Sequence, residues 1–567
     1  MGAVAVLAAL AGRKLRPAAV WAIAALSVLA LACWQLWPDG QWAEALFVMS
    51  VALTIGALIA LVTRRLLVAV VLAGALLAIL HAASSAKEKV TDLALHAYEF
   101  VSFLTSWPAI ASLWLNHRFY AAALLAALAA TAILAAIAWR IDGTRLRRRY
   151  VLAAVPICAA LVWCGAAAKG ERWHTEFYSV NNHLGFFFSS WSETVEALLR
   201  GQVMEAAARA SGAPFTVPAS CEPASRPPHI ILIHEESVVQ PSHFPALSYD
   251  RSVDPFFHSH DGKLHRLRVE TYGGASWLTE FSVMTGLSAH LSGGLRNFVQ
   301  SVMTGKVRDT LPQALARCGY RTIAVHPMLR AYLSIGRFLT GVGISEILDA
   351  KDQGSKWAND RDRFYFGIAL AEIERHIKAS NQPIFVFIET MATHGAYDYA
   401  YMPEEKVPGG GPGTPPEMHE YLRRLSMARI DYDAMRADLV RRFPGERFLI
   451  VHYGDHQPTA TLPLLGLSDS TTIEDVMRSG NEAAFITYYV IDGVGYAPPP
   501  LPALDRLAVP YLGTVILEAA GLPLSEVYRE RKRLMALCNG RYHDCPARGE
   551  ILNFHRRLID SKLMDAL

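Results

Sequence analysis

His229-Ile-Ile-Leu-Ile-His-Glu-Glu-Ser237 (HIILIHEES) sets four consecutive aliphatic residues between histidines and closes on two carboxylates. An unbroken apolar run of this length reads as a strand buried on both faces, not as one side of a half-exposed sheet. Working outward, the same pattern returns at Thr322–Val325, Ile384–Ile388 (IFVFI), Phe448–Val451 (FLIV) and Phe485–Ile491 (FITYYVI). Helical periodicity fills the gaps, as at Leu311–Cys318 and Gly367–Ala379. Strand, helix, strand at this spacing predicts an α/β domain with a mostly parallel central sheet.

Upstream the character changes. The chain of 567 residues is 52% hydrophobic and only 19% charged, against ~25% charged residues in an ordinary soluble domain. The deficit sits before residue 170. Five stretches there are long enough to cross a ~30 Å hydrocarbon core: Ala18–Leu36, Ala43–Val62, Leu66–Ser84, Phe119–Trp139 and Val151–Ala168. A cleaved signal peptide accounts for one such stretch, not five. With 54 basic and 51 acidic residues the net charge is +3, too balanced for a protein that binds nucleic acid by neutralising phosphates. Plentiful aromatics and short polar tracts exclude disorder as the main theme.

Basic residues orient the spans. Arg13, Lys14 and Arg16 precede the first, Arg64 and Arg65 follow the second, and Arg140, Arg145, Arg147, Arg148 and Arg149 separate the fourth from the fifth. All fall on one side if five spans start from a cytoplasmic N-terminus. The C-terminal part is then extracytoplasmic, which in a bacterium means anchored in the inner (cell) membrane and facing the periplasm. His96–Asn116, aromatic and interrupted by Pro108, reads as an interfacial segment and not a sixth span.

The organisation expected is a five-span membrane domain (1–169) and a connector with an amphipathic stretch (ETVEALLRGQVMEAAARA) and a Pro/Ser-rich exit (170–228). The α/β domain (229–530) and a C-terminal tail (531–567) follow. Pro403–Pro416 (PEEKVPGGGPGTPP) reads as a mobile Gly/Pro loop near the site. Cys33, Cys158 and Cys164 lie in the spans, whereas Cys221, Cys318, Cys538 and Cys545 lie in the exported part, where disulfides form. Four cysteines allow three pairings. Cys538–Cys545 closes a short loop and is the preferred bridge, with Cys221–Cys318 as its corollary.

Groups fit for metal and phosphate chemistry follow the strands: Glu236 after HIILIHE, His394 after IFVFIETMAT, and Asp455 with His456 after FLIVHYG. In an open parallel sheet the carboxyl ends of the strands converge on one crevice. Glu236, Asp455 and His456 make an oxygen and nitrogen donor set for one borderline or hard divalent ion, Mn²⁺ first, with Zn²⁺ or Mg²⁺ as alternatives. Glu235 points to the other face by strand alternation. In Thr271–Leu287 (TYGGASWLTEFSVMTGL), Gly273 and Gly274 permit a tight turn that leaves Ser276 where a helix begins, with Glu280 in its first turn or so. Unpaired N–H groups and the helix dipole there favour phosphate. A hydroxyl beside a metal is an accessible nucleophile. Read locally, Ser276 serves equally well as an N-cap.

HEES, GGASWLTEF, THGAY and GDHQP, in this order after five spans, resemble the lipoteichoic acid synthase and periplasmic-glucan phosphoglycerol transferase group. These are membrane-anchored members of the alkaline phosphatase/sulfatase superfamily. The resemblance, over roughly residues 229–500, implies a metal-dependent, sulfatase-like phosphotransferase. It moves a phospho-alcohol from a membrane phospholipid donor to an extracytoplasmic glycan or lipid acceptor, with phosphoglycerol preferred over phosphoethanolamine. A phosphatase or phosphodiesterase of the same superfamily is the alternative. The implied metal ligands are Glu236, Ser276, Asp455 and His456, with Ser276 the nucleophile where the family usually has Thr. His394, His326 and Arg337 are the implied substrate-binding residues. For the arginine, the family's aromatic-Asn-Arg motif is absent and Arg330 competes. The formylglycine core of true sulfatases, C/S-x-P-x-R, is not matched by Cys221-Glu-Pro-Ala-Ser-Arg226, which has one residue too many and precedes the first strand.

Overall fold

A computed structural model describes residues 14–36, 42–91, 94–105, 114, 118–169, 182–330, 332, 335–355, 360–468 and 471–566. The chain divides into two compact units, Met1–Leu199 and Arg200–Leu567.

In the first unit, α1 (Pro17–Leu36), α2 (Trp42–Thr63), α3 (Leu66–Thr91), α5 (Arg118–Ile141) and α6 (Arg148–Lys169) are long and apolar enough to cross a membrane, while α4 (Ala97–Thr105) is short. The basic clusters meet at one end of this bundle. Leu15 N–H donates to the Ile141 carbonyl (2.8 Å), and Leu146 N–H to the Arg64 carbonyl (3.0 Å). The Arg65 guanidinium donates to the carbonyls of Trp139 (2.7 Å) and Asp142 (2.9 Å). Arg13, and residues 106–113 and 115–117 of the expected interfacial segment, lie outside the described residues; α4 forms its first half. Residues 170–181 of the connector also lie outside them. The amphipathic stretch begins within α7 (His183–Arg200), whose Leu184 and Phe187 pack on Phe47, Val48, Leu77 and Leu80. The helix ends sooner than the sequence pattern suggests because Gly201 adopts a left-handed φ of 65°.

The second unit is built on an eight-stranded sheet: β1 (His229–Glu235), β2 (His265–Arg268), β3 (Arg321–Val325), β4 (Glu346–Leu348), β5 (Ile384–Glu389), β6 (Phe448–Gly454), β7 (Ile486–Val494) and β8 (Leu507–Ala508). Its order is β4-β3-β5-β1-β6-β7-β2-β8. Only β7 runs against its neighbours, so the sheet is mostly parallel, as expected. The central strand β1 pairs with β5 through Ile230–Phe385 to His234–Glu389, and with β6 through His229–Phe448 to Glu235–Gly454. This register brings the ends of β1, β5 and β6, and the polar residues after them, to one edge. Helices cover the sheet: α8 (Ser276–Thr285), α9 (Leu311–Arg317), α10 (Ile335–Gly341), α11 (Asp362–Ala379) and α12 (Pro416–Arg442). Residues 531–567 are not a detached tail. Phe554 on the helix Arg548–Asp560 is fully buried against Phe215, and Arg531 donates to the Thr285 carbonyl (2.6 Å). The Pro403–Pro416 loop is pinned by Gly411 N–H on the Ser248 carbonyl and by a bridge between Gly410 and Tyr249. Cys221 is bonded to Cys318, and Cys538 to Cys545. The decoy cysteine of the Cys221–Arg226 stretch therefore carries no free thiol.

Candidate metal and phosphate site

The turn before α8 sets the site's geometry. Gly273 (φ 68°), Gly274 (φ 154°) and Ala275 (φ 63°) are all left-handed in φ. A Cβ on Gly273 would stand 3.0 Å from the Thr459 Cγ2 and 3.1 Å from the Ile473 Cγ1. Ala275, a non-glycine held in this region, occupies the N-cap without a side-chain cap bond. Ser276 is therefore the first helical residue, not the cap. Its hydroxyl turns out of the helix and donates to the Glu236 Oε2 (2.8 Å), with the His456 Nε2 at 3.4 Å.

Glu236, Asp455 and His456 are 4%, 0% and 1% exposed, and offer ligand atoms to one point. His456 Nδ1–H donates to the Gln457 carbonyl (3.0 Å), which leaves the Nε2 lone pair facing the cluster. That Nε2 is 3.5 Å from Glu236 Oε1 and 3.4 Å from Asp455 Oδ2. Ligands ~2.1 Å from an ion stand ~3.4 Å apart at tetrahedral corners, so these residues are spaced to hold one divalent ion. Ser237 ties two of them together: its N–H donates to Asp455 Oδ1 (2.8 Å) and its hydroxyl to Glu236 Oε1 (2.7 Å). To do so it takes a left-handed φ of 57°. The Asp455 Oδ1 also accepts from His456 N–H (2.6 Å). Burial works against a charge on Asp455, yet His456 and the hydrogen bond from His234 hold its pKa down at about 2. Burial likewise opposes a charge on His234, but its bond to Asp455 and the nearby Glu389 and Glu280 raise its pKa to about 9. Burial, then repulsion from Asp455, raises Glu236.

A second buried group lies alongside: Glu280, His326 and Glu389. Its spacing is different. His326 Nε2 and Glu389 Oε2 are 2.6 Å apart, an ion pair without hydrogen-bond geometry, closer than the ~3.4 Å that separates tetrahedral ligands. His326 Nδ1 accepts from Met328 N–H (3.1 Å). The histidine expected on substrate is 1% exposed, with Nδ1 held by the Met328 N–H and Nε2 facing the Glu389 carboxylate. Glu235 faces Thr390 and His452, away from the cluster, as strand alternation requires.

His394 sits exposed on the loop after β5, close enough to Glu236 for their charges to interact. Arg330 is engaged elsewhere, with the Asp352 carboxylate and the Ile347 carbonyl (2.6 Å). Arg337 is exposed on α10, and among the described residues neither arginine bonds to the cluster. Ser237 lies inside HEES, but nothing in the sequence marks it as the residue that ties Glu236 to Asp455. A half-buried hydroxyl at a helix N-terminus, a buried cluster of carboxylates and an imidazole, and an exposed imidazole on the neighbouring loop are groups suited to a phosphate ester.

Residues 228–474 match the sulfatase family model. An uncharacterized protein of Haemophilus influenzae is 22% identical over 330 residues, which make up 55% of this chain and 56% of that one, so the chain spans little more than half the relative's length. Among solved structures, the chain is similar to the Streptococcus pyogenes phosphoglycerol transferase GacH in complex with sn-glycerol-1-phosphate (17% identity, 60% of this chain, 87% of that one, TM-score 0.45). It is similar to the Listeria monocytogenes lipoteichoic acid synthase LtaP (14%, 55%, 76%, TM-score 0.40). With the membrane unit included, the chain is similar to the Neisseria meningitidis lipooligosaccharide phosphoethanolamine transferase A (11%, 89%, 97%, TM-score 0.44).

Proposed function

We propose that this protein is a membrane-anchored phospho-alcohol transferase, taking phosphoglycerol from a membrane phospholipid and passing it to an extracytoplasmic glycan or lipid. The observation that carries the reading is the Ser276 hydroxyl, 2.8 Å from Glu236 and 3.4 Å from His456, at the start of α8 and among ligands spaced for one ion. Five apolar helices and two disulfides in the other unit support a catalytic domain fixed outside the cytoplasm. The basic end of the bundle is then cytoplasmic.

Glu236, Asp455, His456 and Ser276 would hold the divalent ion, Mn²⁺ first among the candidates. When bound, it supplies a Lewis acid at the phosphoryl oxygens and a lowered pKa for the serine hydroxyl. Glu236 Oε2 already accepts the hydroxyl hydrogen of Ser276 and aims the oxygen lone pair outward. Ser276 Oγ attacks the donor phosphorus, the bond to the glyceride oxygen breaks, and diacylglycerol leaves with a proton. A phosphoglycerol ester then remains on Ser276. His394, at the rim, binds the phosphoryl oxygens. The acceptor hydroxyl attacks the same phosphorus from the vacated side, gives up its proton, and frees Ser276. Anchoring the domain beside its lipid donor raises the effective concentration of substrate.

The test is to incubate the membrane-embedded protein with vesicles carrying head-group-labelled phosphatidylglycerol, and separately phosphatidylethanolamine. Diacylglycerol release with label passed to a glycan or lipid supports transfer, and the productive vesicle names the head group. Label released only as free glycerol phosphate or phosphate identifies a hydrolase and contradicts the reading.

A further inference from the structure

The loop that carries His394 is held from both sides by buried polar side chains. On one side Asp362 accepts the backbone N–H groups of Met391 (3.1 Å) and Ala392 (3.0 Å), and Thr393 bonds the Glu236 carbonyl. On the other, α12 sends in Arg424, 1% exposed. Its guanidinium donates to the carbonyls of His394 (2.5 Å), Ala396 (2.8 Å) and Tyr399 (3.2 Å). Its Nε donates to the Glu420 Oε1 (2.8 Å), and Glu420 accepts the Tyr401 N–H (2.8 Å). The rings of Tyr397, Tyr399 and Tyr401 surround the cation, with centroids 5.2, 4.8 and 5.2 Å from it.

Loop carbonyls have no ladder partner, and buried ones need a donor. One arginine supplies three here. Burying a guanidinium costs several kcal/mol, a cost an apolar side chain of the same volume would not incur. What the charge adds is direction: a planar fork fixes where each carbonyl points. These contacts fall on backbone carbonyls, and they leave the His394 side chain exposed on the loop, with its Nδ1 2.6 Å from the Gly395 carbonyl and its charge within reach of Glu236.

We propose that Arg424 is a positioning residue, which sets the His394 imidazole over the phosphoryl site by holding the carbonyls of its loop. The proposal rests on the reading of His394 as the group on substrate oxygens. The experiment is a double-mutant cycle in the full-length membrane protein. It measures diacylglycerol release from vesicles of equal parts phosphatidylglycerol and phosphatidylethanolamine, alongside metal content and thermal unfolding. Arg424→Met should lower kcat roughly 10- to 100-fold, the scale of a ~1 Å misplacement, with metal content unchanged. In a His394→Ala background the same change should cost less than about threefold, because nothing is left to position. Arg424→Lys, a point charge that reaches one carbonyl, should fall between native and Met and covers the case in which Met does not fold. Equal losses in both backgrounds would mean a merely structural role and overturn the assignment while leaving His394 in place. Native turnover in His394→Ala would overturn it together with the reading beneath it.

Discussion

Asp455→Asn tests the metal site with little change of shape. The carboxylate accepts three hydrogen bonds, from Ser237 N–H, His456 N–H and His234 Nε2. An asparagine keeps its oxygen for the two backbone donors but turns an NH₂ toward His234, and it takes away the charge that is the main cause of that ring's raised pKa. The swap therefore removes one anionic ligand and the main support for a protonated His234. Loss of an outer partner alone costs 10- to 100-fold in metal affinity, so loss of a ligand should cost at least ~100-fold, or about 2.8 kcal/mol. With metal at about ten times the native Kd, occupancy should fall from about 0.9 to about 0.1. The assay is elemental analysis of the purified full-length protein after equilibration at that concentration, with membrane-fraction yield as the control for insertion. About one ion per native chain is expected. Full occupancy in Asp455→Asn would refute the ligand assignment, whatever happens to activity.

Other outcomes follow from the same geometry. His394→Ala should lower turnover on the order of 100-fold while metal content stays near native, since His394 is placed on substrate oxygens; a metal-free variant would make it a ligand instead. The Cys221–Cys318 bridge spans 97 residues and Cys538–Cys545 only 7, so by loop entropy removing the first should destabilise by about 2 kcal/mol more than removing the second. Denaturant unfolding of the two paired-serine variants checks this, and equal losses would contradict it. A protease site inserted near residue 300 should be cut from outside intact cells or spheroplasts, whereas cleavage only after lysis would invert the topology.

The central strands were legible because β1, β5 and β6 are continuous apolar runs, a pattern only a doubly covered sheet requires. The flanking strands β2, β4 and β8 were not: they have 4, 3 and 2 residues, and His265–Arg268 reads as a charged loop. The reversed direction of β7 is set by the connection after β6, which local composition does not encode. Glu236, Asp455 and His456 were legible because polar residues directly after buried strands share an edge. His326 occupies the equivalent position after β3, but whether its ring faces solvent or Glu389 depends on a strand pairing 60 residues away. Arg424 looks like any helix-surface arginine in sequence. Only the loop wrapped around it makes it a buried cation.

The central claim is a covalent ester on Ser276. Rapid quenching of the full-length protein with head-group-labelled donor vesicles, followed by peptide mapping, measures it most directly. The account predicts label on the peptide containing Ser276, its disappearance when acceptor is added, loss of both label and diacylglycerol release in Ser276→Ala, and partial activity in Ser276→Thr. Near-native diacylglycerol release from Ser276→Ala, with no label trapped in the native protein, would mean direct attack by acceptor or water and would contradict it.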